Sequence, residues 1–297
     1  MSAPQNIICI GSVLWDIIGR SAVTMRQGSD VPGRITRLPG GVALNIAMTL
    51  KQFGLQPLLL SVVGEDAEGS ELLKRCQSLG LNTDHIYRSK DLPTDRYMAV
   101  EAQNGLIGAI ADAHSLEQAG SKILSPLLDG PIADRAHPYS GVVALDGNLT
   151  DSLLQEVSSD VAFSKADLRI APASPGKAKR LASLIKHPHA TLYVNLEEAG
   201  LLCNQEFSDS ATAANALVTK GANRVLVTAG GGPASDGNSS GIIQLKPPEV
   251  LVTRVTGAGD TFMAAHIAAE LRGENRENAL KSALAAAAVY VSGDIGA

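Results

Sequence analysis

The segment Thr256-Gly257-Ala258-Gly259-Asp260 brings together what phosphate chemistry needs. Small residues let a backbone approach a ligand closely. The segment lies between an apolar run, Val250 to Val252, and a stretch with helical spacing, so it opens a helix. The first amides of a helix have no internal partner and carry the positive end of its dipole, which makes an anion site. Asp260 is out of place there, because its carboxylate repels a phosphate. The conflict resolves if Asp260 faces a substrate hydroxyl and accepts its proton, while the amides of Ala258 and Gly259 stabilise a transferring phosphoryl group. A glycine-rich helix start with an aspartate cap is the plainer reading of these five residues.

A second segment, Gly40-Gly41-Val42-Ala43-Leu44-Asn45, also places two glycines before a helix. Asn45 falls within the first turns, and its amide offers both donor and acceptor to a diol. A turn followed by a surface asparagine fits equally well. Other matches fail on context. Gly237 to Gly241 fits G-x-S-x-G, but a nucleophile elbow runs strand, turn, helix, and Ile242 to Leu245 reads as a strand. Gly176-Lys177 lacks the rest of a P-loop. His187-Pro188-His189 reads as a solvated loop rather than a metal pair, and His266 as structural.

The elements that would position these residues alternate. Ile7 to Ile10, Leu58 to Val63, Gly141 to Leu145, Leu168 to Ile170, Thr191 to Val194 and Arg224 to Thr228 are short apolar runs that read as buried strands. Between them, Gly41 to Phe53, Glu65 to Leu79, Thr150 to Val157, Gly176 to Ile185, Leu196 to Cys203 and Ser210 to Thr219 have helical character. The alternation predicts a parallel α/β sheet. Ala229 to Gly241 reads as loop, Ile242 to Leu245 and Val250 to Val252 as short strands, and Gly257 to Leu271 and Asn278 to Val291 as Ala-rich helices. Val13 to Leu38 and Arg96 to Ala111 break the rhythm. The second is a hairpin around Gln103-Asn104-Gly105, and together they predict a small β subdomain beside the main sheet.

Composition narrows the class. At ~150 residues per domain, 297 residues make about two units, or one large α/β domain with a small addition. With 45% hydrophobic residues the chain can bury a sizeable core, and with 3% aromatics that core must come from Ala, Val, Leu and Ile. A net charge of −5 argues against a nucleic-acid partner, which asks for a basic face. Cys9, Cys76 and Cys203 are odd in number and show no C-x-x-C, so they read as reduced core residues. Met1 to Gln5 has no signal-peptide character, and no run approaches the ~20 apolar residues of a membrane span. The expectation is a soluble, cytoplasmic protein with no membrane partner.

Taken together, Gly40-Gly41-x-Ala43-x-Asn45-x-Ala47, then Gly54 and Gly64, resemble the first signature of the ribokinase/PfkB family of carbohydrate and nucleoside kinases. Val255 to Asp260 resembles its second signature, and the likeness covers nearly the whole chain. The resemblance implies an α/β, ribokinase-like three-layer sandwich over residues 1–297, with a mainly parallel central sheet and a small β lid from about 13–38 and 93–113. It implies ATP and Mg2+. It gives Asp260 the role of catalytic base and Gly257, Ala258 and Gly259 that of anion hole. It makes Asp16, Gly41 and Asn45 acceptor contacts. Asn195 and Glu198 match an Asn-x-x-Glu motif tied to magnesium and phosphate, with Glu198 acting on the metal indirectly. Thr228, Gly230 and Gly232 match the nucleotide-side loop. Two positions depart from the pattern. Arg254 stands where relatives carry Asp, Asn or Ser, in several of them a potassium contact, which leaves a monovalent cation open. Pro233 stands where the nucleotide loop would carry Gly.

Several segments look most like pseudouridine kinases within that family: Arg37 to Ala43, Tyr97 to Val100, Ala109 to Asp112, Leu145 to Leu149, and Ala171-Pro172-Ala173-Ser174 before Lys177. Ala171 stands where those relatives often have Asp. The implied reaction is phosphorylation of the 5′-hydroxyl of pseudouridine, with Tyr97, Asp112 and Asn148 as further acceptor contacts. A sugar kinase acting on ribose, fructose or a keto-deoxy sugar acid, or another nucleoside kinase, is the alternative, ahead of a non-catalytic binding module. Pairing of two copies through the β lid is also implied.

Overall fold

A computed structural model describes residues 7–293. In chain order its first half contains β1 (Ile7–Ile10), β2 (Leu14–Arg20), β3 (Arg34–Gly40), α1 (Val42–Gln52), β4 (Pro57–Leu60), β5 (Val62–Gly64), α2 (Ala67–Ser78), β6 (Tyr87–Ser89), β7 (Arg96–Ala102), β8 (Gly105–Asp112), α3 (His114–Ala119) and α4 (Ser125–Leu128). There follow β9 (Val142–Asp146), α5 (Asp151–Ser159), β10 (Asp167–Ala171), β11 (Ala190–Asn195), α6 (Leu196–Cys203), α7 (Ser210–Thr219), β12 (Arg224–Ala229), β13 (Gly232–Asn238), β14 (Gly241–Leu245), α8 (Ala258–Leu271) and α9 (Arg276–Ser292). Eight strands form the main sheet in the order β14-β13-β12-β11-β10-β9-β1-β4. Those from β4 to β12 run parallel, and β13 and β14 are antiparallel additions at one edge.

Strand alternation splits the core into two layers. Ile8, Ile10, Val143, Leu145, Leu168, Ile170, Leu192 and Val225 pack against α3 to α7. Ile7, Cys9, Val142, Ala144, Tyr193 and Leu226 pack against α1, α2, α8 and α9. The parallel strands are buried on both faces, which is why they read as unbroken apolar runs. A separate four-stranded sheet, β3-β2-β7-β8, forms the β subdomain. Its strands β3 and β8 are largely exposed, and they carry exposed Ile35, Leu106 and Ile110 as well as polar residues.

Four elements depart from the sequence expectation. Leu58 to Val63 is two strands, because the chain leaves the main sheet after Leu60 and Val62 pairs with Tyr87 in a small sheet of its own. Residues 175–184 wind as a 3-10 helix. Ala229 to Gly241 is mostly strand β13, not loop. Its polar Ser235 and Asp236 are fully buried, Ser235 against Ser210 and Asp236 against Arg224 and Arg276. Val250 to Val252 is no strand, and Leu251 and Val252 are exposed. The turn at 239–240 joins two strands, so the G-x-S-x-G match is no nucleophile elbow.

At the far end of α8 from Asp260, Glu270 pairs with both Arg169 of β10 and Arg224 of β12. Buried His266, its imidazole pushed down to about 4 by desolvation, bonds Tyr193 Oη at 2.9 Å. The arginines hold the Glu270 carboxyl below its usual range despite burial. Removing one partner of a buried ion pair leaves the other charges uncompensated, so Glu270→Gln is expected to cost about 3 kcal/mol in urea unfolding at neutral pH. Because the folded-state carboxyl titrates low, that stabilisation is present above the ordinary carboxylate range and is lost in acid. The gap between variant and wild type should therefore close only as pH falls below that range.

Candidate active site

The C-terminal ends of β1, β9, β11 and β12 open on one edge of the sheet, where ligands of such sheets bind. Asp146, at the end of β9, is fully buried. It accepts the Ser12 amide at 2.8 Å, Ser12 Oγ at 2.5 Å, the Asn148 amide at 2.8 Å and Asn148 Nδ2 at 2.8 Å. Ser12 Oγ in turn accepts the Val42 amide at 2.9 Å, and Ser12 O accepts the Leu44 amide at 3.3 Å. The first turn of α1 is thereby fastened to the end of β1. Gly41 has φ 103°, and a Cβ there would overlap the Ser12 carbonyl. Close packing explains this glycine without a ligand.

Asn45 projects from that first turn, and its Nδ2 donates to Asp260 Oδ2 at 2.8 Å, so the two segments singled out in sequence meet. Desolvation pushes the Asp260 carboxyl up to about 7, and the charges of Asp146, Asp16 and Glu198 add to this while the Asn45 bond opposes it. Asp16, on β2, is pushed up to about 6 by burial. Its carboxylate lies where a Cβ of Gly40 would go, so Gly40 is what makes room for it. Tyr97 is level with Asp16 across the β2–β7 pair and shares its face of the lid. Asp112 is level with Arg96, one residue out of phase with Tyr97. The pleat therefore places exposed Asp112 on the opposite face, away from this cluster, contrary to the sequence expectation.

On the other side, Asn195 and Glu198 form a capping box. Asn195 Oδ1 accepts the Glu198 amide at 2.9 Å, and Glu198 Oε2 accepts the Asn195 amide at 2.8 Å. Glu198 is buried, and desolvation raises its carboxyl. Thr228 is level with Asn195 on the neighbouring strand. Gly230, with φ 58°, lies in the β12–β13 turn, while Gly232 and Pro233 already belong to β13.

The anion loop is clamped from behind. The Arg254 guanidinium lies 3.8 Å from the Tyr290 ring centre, and its Nε donates to Tyr290 O at 2.7 Å. Tyr290 Oη donates to Thr256 O at 2.8 Å and lies where a Cβ of Gly257 (φ 90°) would go. The Ala258 amide already donates to Val255 O at 3.0 Å. Among the described residues, the amides of Gly257, Gly259 and Asp260 have no backbone partner and stay open to an anion, while that of Ala258 is taken. No cluster of three or more His, Cys, Asp or Glu suited to hold a metal occurs among the described residues. One Glu198 oxygen is held in the capping box, and the other is a hard donor of the kind magnesium takes.

Sequence reasoning overlooked Ser12, Asp146 and Lys177, whose Nζ donates to Asn148 Oδ1. Asp146 carried a signal: it is the first charged residue after an apolar strand, where a parallel sheet opens its crevice.

A family model described as pfkB family carbohydrate kinase matches residues 4–294. The chain belongs to the PfkB family. It is a carbohydrate or nucleoside kinase that uses ATP. An Escherichia coli K12 protein described as uncharacterized sugar kinase YeiI is 30% identical over 298 residues, covering 97% of this PfkB kinase and 79% of that protein. The pseudouridine kinase of the same organism is 28% identical over 269 residues, covering 89% and 83%. The structure of Arabidopsis thaliana ribokinase complexed with ribose and ATP superimposes with a TM-score of 0.77 over 97% of this chain and 93% of that one, at 22% identity. The ribokinase-like fold expected from sequence is the one observed.

The raised Asp260 carboxyl has a stability consequence. Its folded pKa lies above the ordinary value of ~4, so between ~4 and about 7 the folded state holds the extra proton and stability falls as pH rises. Asp260→Asn removes that burden and can keep the Asn45 contact. Its melting temperature should exceed that of the wild type by several degrees at pH 8, and the gap should narrow as pH falls and vanish only below about pH 4.

Proposed function

We propose that this kinase transfers the γ-phosphoryl group of ATP to the ribose 5′-hydroxyl of pseudouridine. The observation that carries the transfer is the Asn45–Asp260 contact at the mouth of the anion loop. A carboxyl titrating near 7 is matched to proton abstraction at neutral pH. As the acceptor oxygen bonds to the γ-phosphorus, its proton passes to Asp260, the bond from phosphorus to the β–γ bridging oxygen breaks, and ADP leaves. The Gly259 and Asp260 amides face the charge on the transferring group, and Asn195, Thr228, Gly230 and Gly232 hold the nucleotide side. Magnesium bound to ATP would neutralise phosphate charge, with Glu198 reaching it through water. Asp16 and Asn45 bind acceptor hydroxyls, with Tyr97 at the base.

The choice of pseudouridine rests on the sequence segments that resemble such kinases and on the 28% identity to one of them. A free sugar is the second reading, favoured by the 30% identity to a protein described as a sugar kinase. Arg254 supplies a fixed cation behind the loop, so turnover is expected without dependence on an added monovalent cation. Cys9, Cys76 and Cys203 are unpaired, which suits a reducing compartment, and we assign the enzyme to the cytoplasm. For assembly, Ile35, Met98 and Ile110 lie exposed on the lid face opposite Asp16, and we assign that face to a second copy. Light scattering should give a dimer that Ile110→Glu converts to monomer; a monomeric wild type removes the assignment.

ADP release measured with magnesium-ATP against pseudouridine, uridine, adenosine, ribose, fructose and 2-keto-3-deoxygluconate tests the acceptor. Selective turnover of pseudouridine is expected, and preference for a sugar would discard the nucleoside. Asp260→Asn should lower kcat at least ~10²-fold with ATP still bound. In the wild type, kcat/KM should rise with pH through an inflection near 7 as Asp260 loses its proton among Asp16, Asp146, Glu198 and the Arg254–Tyr290 pair. Near-normal turnover of the variant would remove Asp260 from the role of base.

A further inference from the structure

Asn148 entered as an acceptor contact, but its amide is already spent. Nδ2 donates to both Asp146 oxygens, at 2.8 and 3.1 Å, and lies 3.1 Å from Ser12 Oγ, while Oδ1 accepts from Lys177 Nζ. An ammonium has three N–H groups and no acceptor. Lys177 uses one on Asn148, and the other two have no protein partner among the described residues. Lys177 is half-buried, and desolvation lowers its pKa while the nearby Asp146 carboxylate opposes this. Open donors on a partly desolvated cation, at the ligand edge of the sheet, are costly unless something fills them.

The chain goes to some length to hold this lysine. A Cβ at Gly147 would come within 2.6 Å of Pro172 Cα, so this glycine lets the loops after β9 and β10 touch. Immediately beyond, Ala173 has φ 66°, and the Ser174 amide donates to Pro172 O at 2.8 Å across it. This is a tight three-residue turn that a side chain disfavours. Such backbone persists where its surroundings fix it and concentrates at functional sites. The Lys177 amide then donates to Ser174 O at 3.0 Å, and Arg180 donates to the carbonyls of Asn148 and Leu149 at 3.0 and 3.2 Å.

We propose that Lys177 determines acceptor specificity, its Nζ donating to a carbonyl oxygen on the acceptor's base, with Asn148 and Asp146 holding the ammonium in place. This deepens the nucleoside reading above and rests on it. Ribose hydroxyls can accept from an ammonium, but their protons also need acceptors, which Asp16 and Asn45 supply and Lys177 cannot. A uracil-type ring offers carbonyl oxygens, which only accept.

Lys177→Met keeps the apolar stem and removes the donors, and Lys177→Arg restores donors. A charge-assisted hydrogen bond of ordinary strength predicts that Lys177→Met raises the KM for pseudouridine roughly ten- to a hundred-fold. The KM for ATP should stay within about two-fold, and Lys177→Arg should recover part of the loss. A rise in the KM for ATP instead would assign Lys177 to the phosphates and overturn the proposal. So would a fall in kcat with both KM values unchanged, or a lowered melting temperature with normal kinetics, since either marks a merely structural lysine. If the wild type turns over a sugar and no nucleoside, the function reading falls on that result alone. Lys177 then remains an acceptor residue only if Lys177→Met raises that sugar's KM.

Discussion

Asp16, Asp146 and Glu198 lie close enough to Asp260 for their charges to raise it, and burial forbids all four to be charged without compensation. The structure sorts them by the donors each receives. Asp146 takes amides and side chains from Ser12 and Asn148. Glu198 is locked into its capping box. Asp260 has one donor, Asn45, and Asp16 has none among the described residues. Desolvation pushes Asp16, which has no donor, up to about 6 and Asp260, which has one, up to about 7, and it raises Glu198, whose carboxylate also has one. A carboxylate left short of donors is what the base proposed at Asp260 would need in order to titrate near neutral pH.

That arrangement needs Asp260 held still, and α8 is fixed at both ends. Arg254 and Tyr290 grip the loop before it, and Arg169 and Arg224 grip Glu270 at its far end. Between these points Thr261 to Ala269 are all buried, several of them alanines that let the helix lie close to its neighbours. A site carried on a rigid element is placed more accurately than one on a loop.

The sequence was most legible where one periodicity ran uninterrupted. β1, α6 and α7 have the bounds their patterns predict, and the Asn45–Asp260 contact joins the two segments that chemistry alone had singled out. It was least legible where burial and polarity coincide. Strand β13 reads as loop because Ser235 and Asp236 look solvated, yet both are buried against partners distant in sequence. Asp112 was misplaced by one residue of pleat, which no residue type reveals. Asn148 looked free because Lys177, which consumes its oxygen, lies 29 positions away on another loop. Spacing reports local conformation, whereas satisfaction of a hydrogen bond depends on what tertiary packing delivers.

The four-stranded sheet that carries Asp16 is tied to the core at its base. Trp15 is buried at the base of β2, its Nε1 donating to Glu68 O of α2 at 3.0 Å, with the Arg37 guanidinium stacked 3.7 Å from its ring centre. Arg37 and Arg96 reach α2 through Glu71 and Glu68. Asp16 is the next residue along, so the carboxylate assigned to acceptor hydroxyls sits where the lid is pinned to the main body. Tyr97, level with it, shares that anchorage. Farther out the strands carry exposed Ile35, Leu106 and Ile110 and have lost their packing partners in the chain. The pinned base can therefore hold Asp16 and Tyr97 in fixed geometry, while the outer strands can vary without disturbing them.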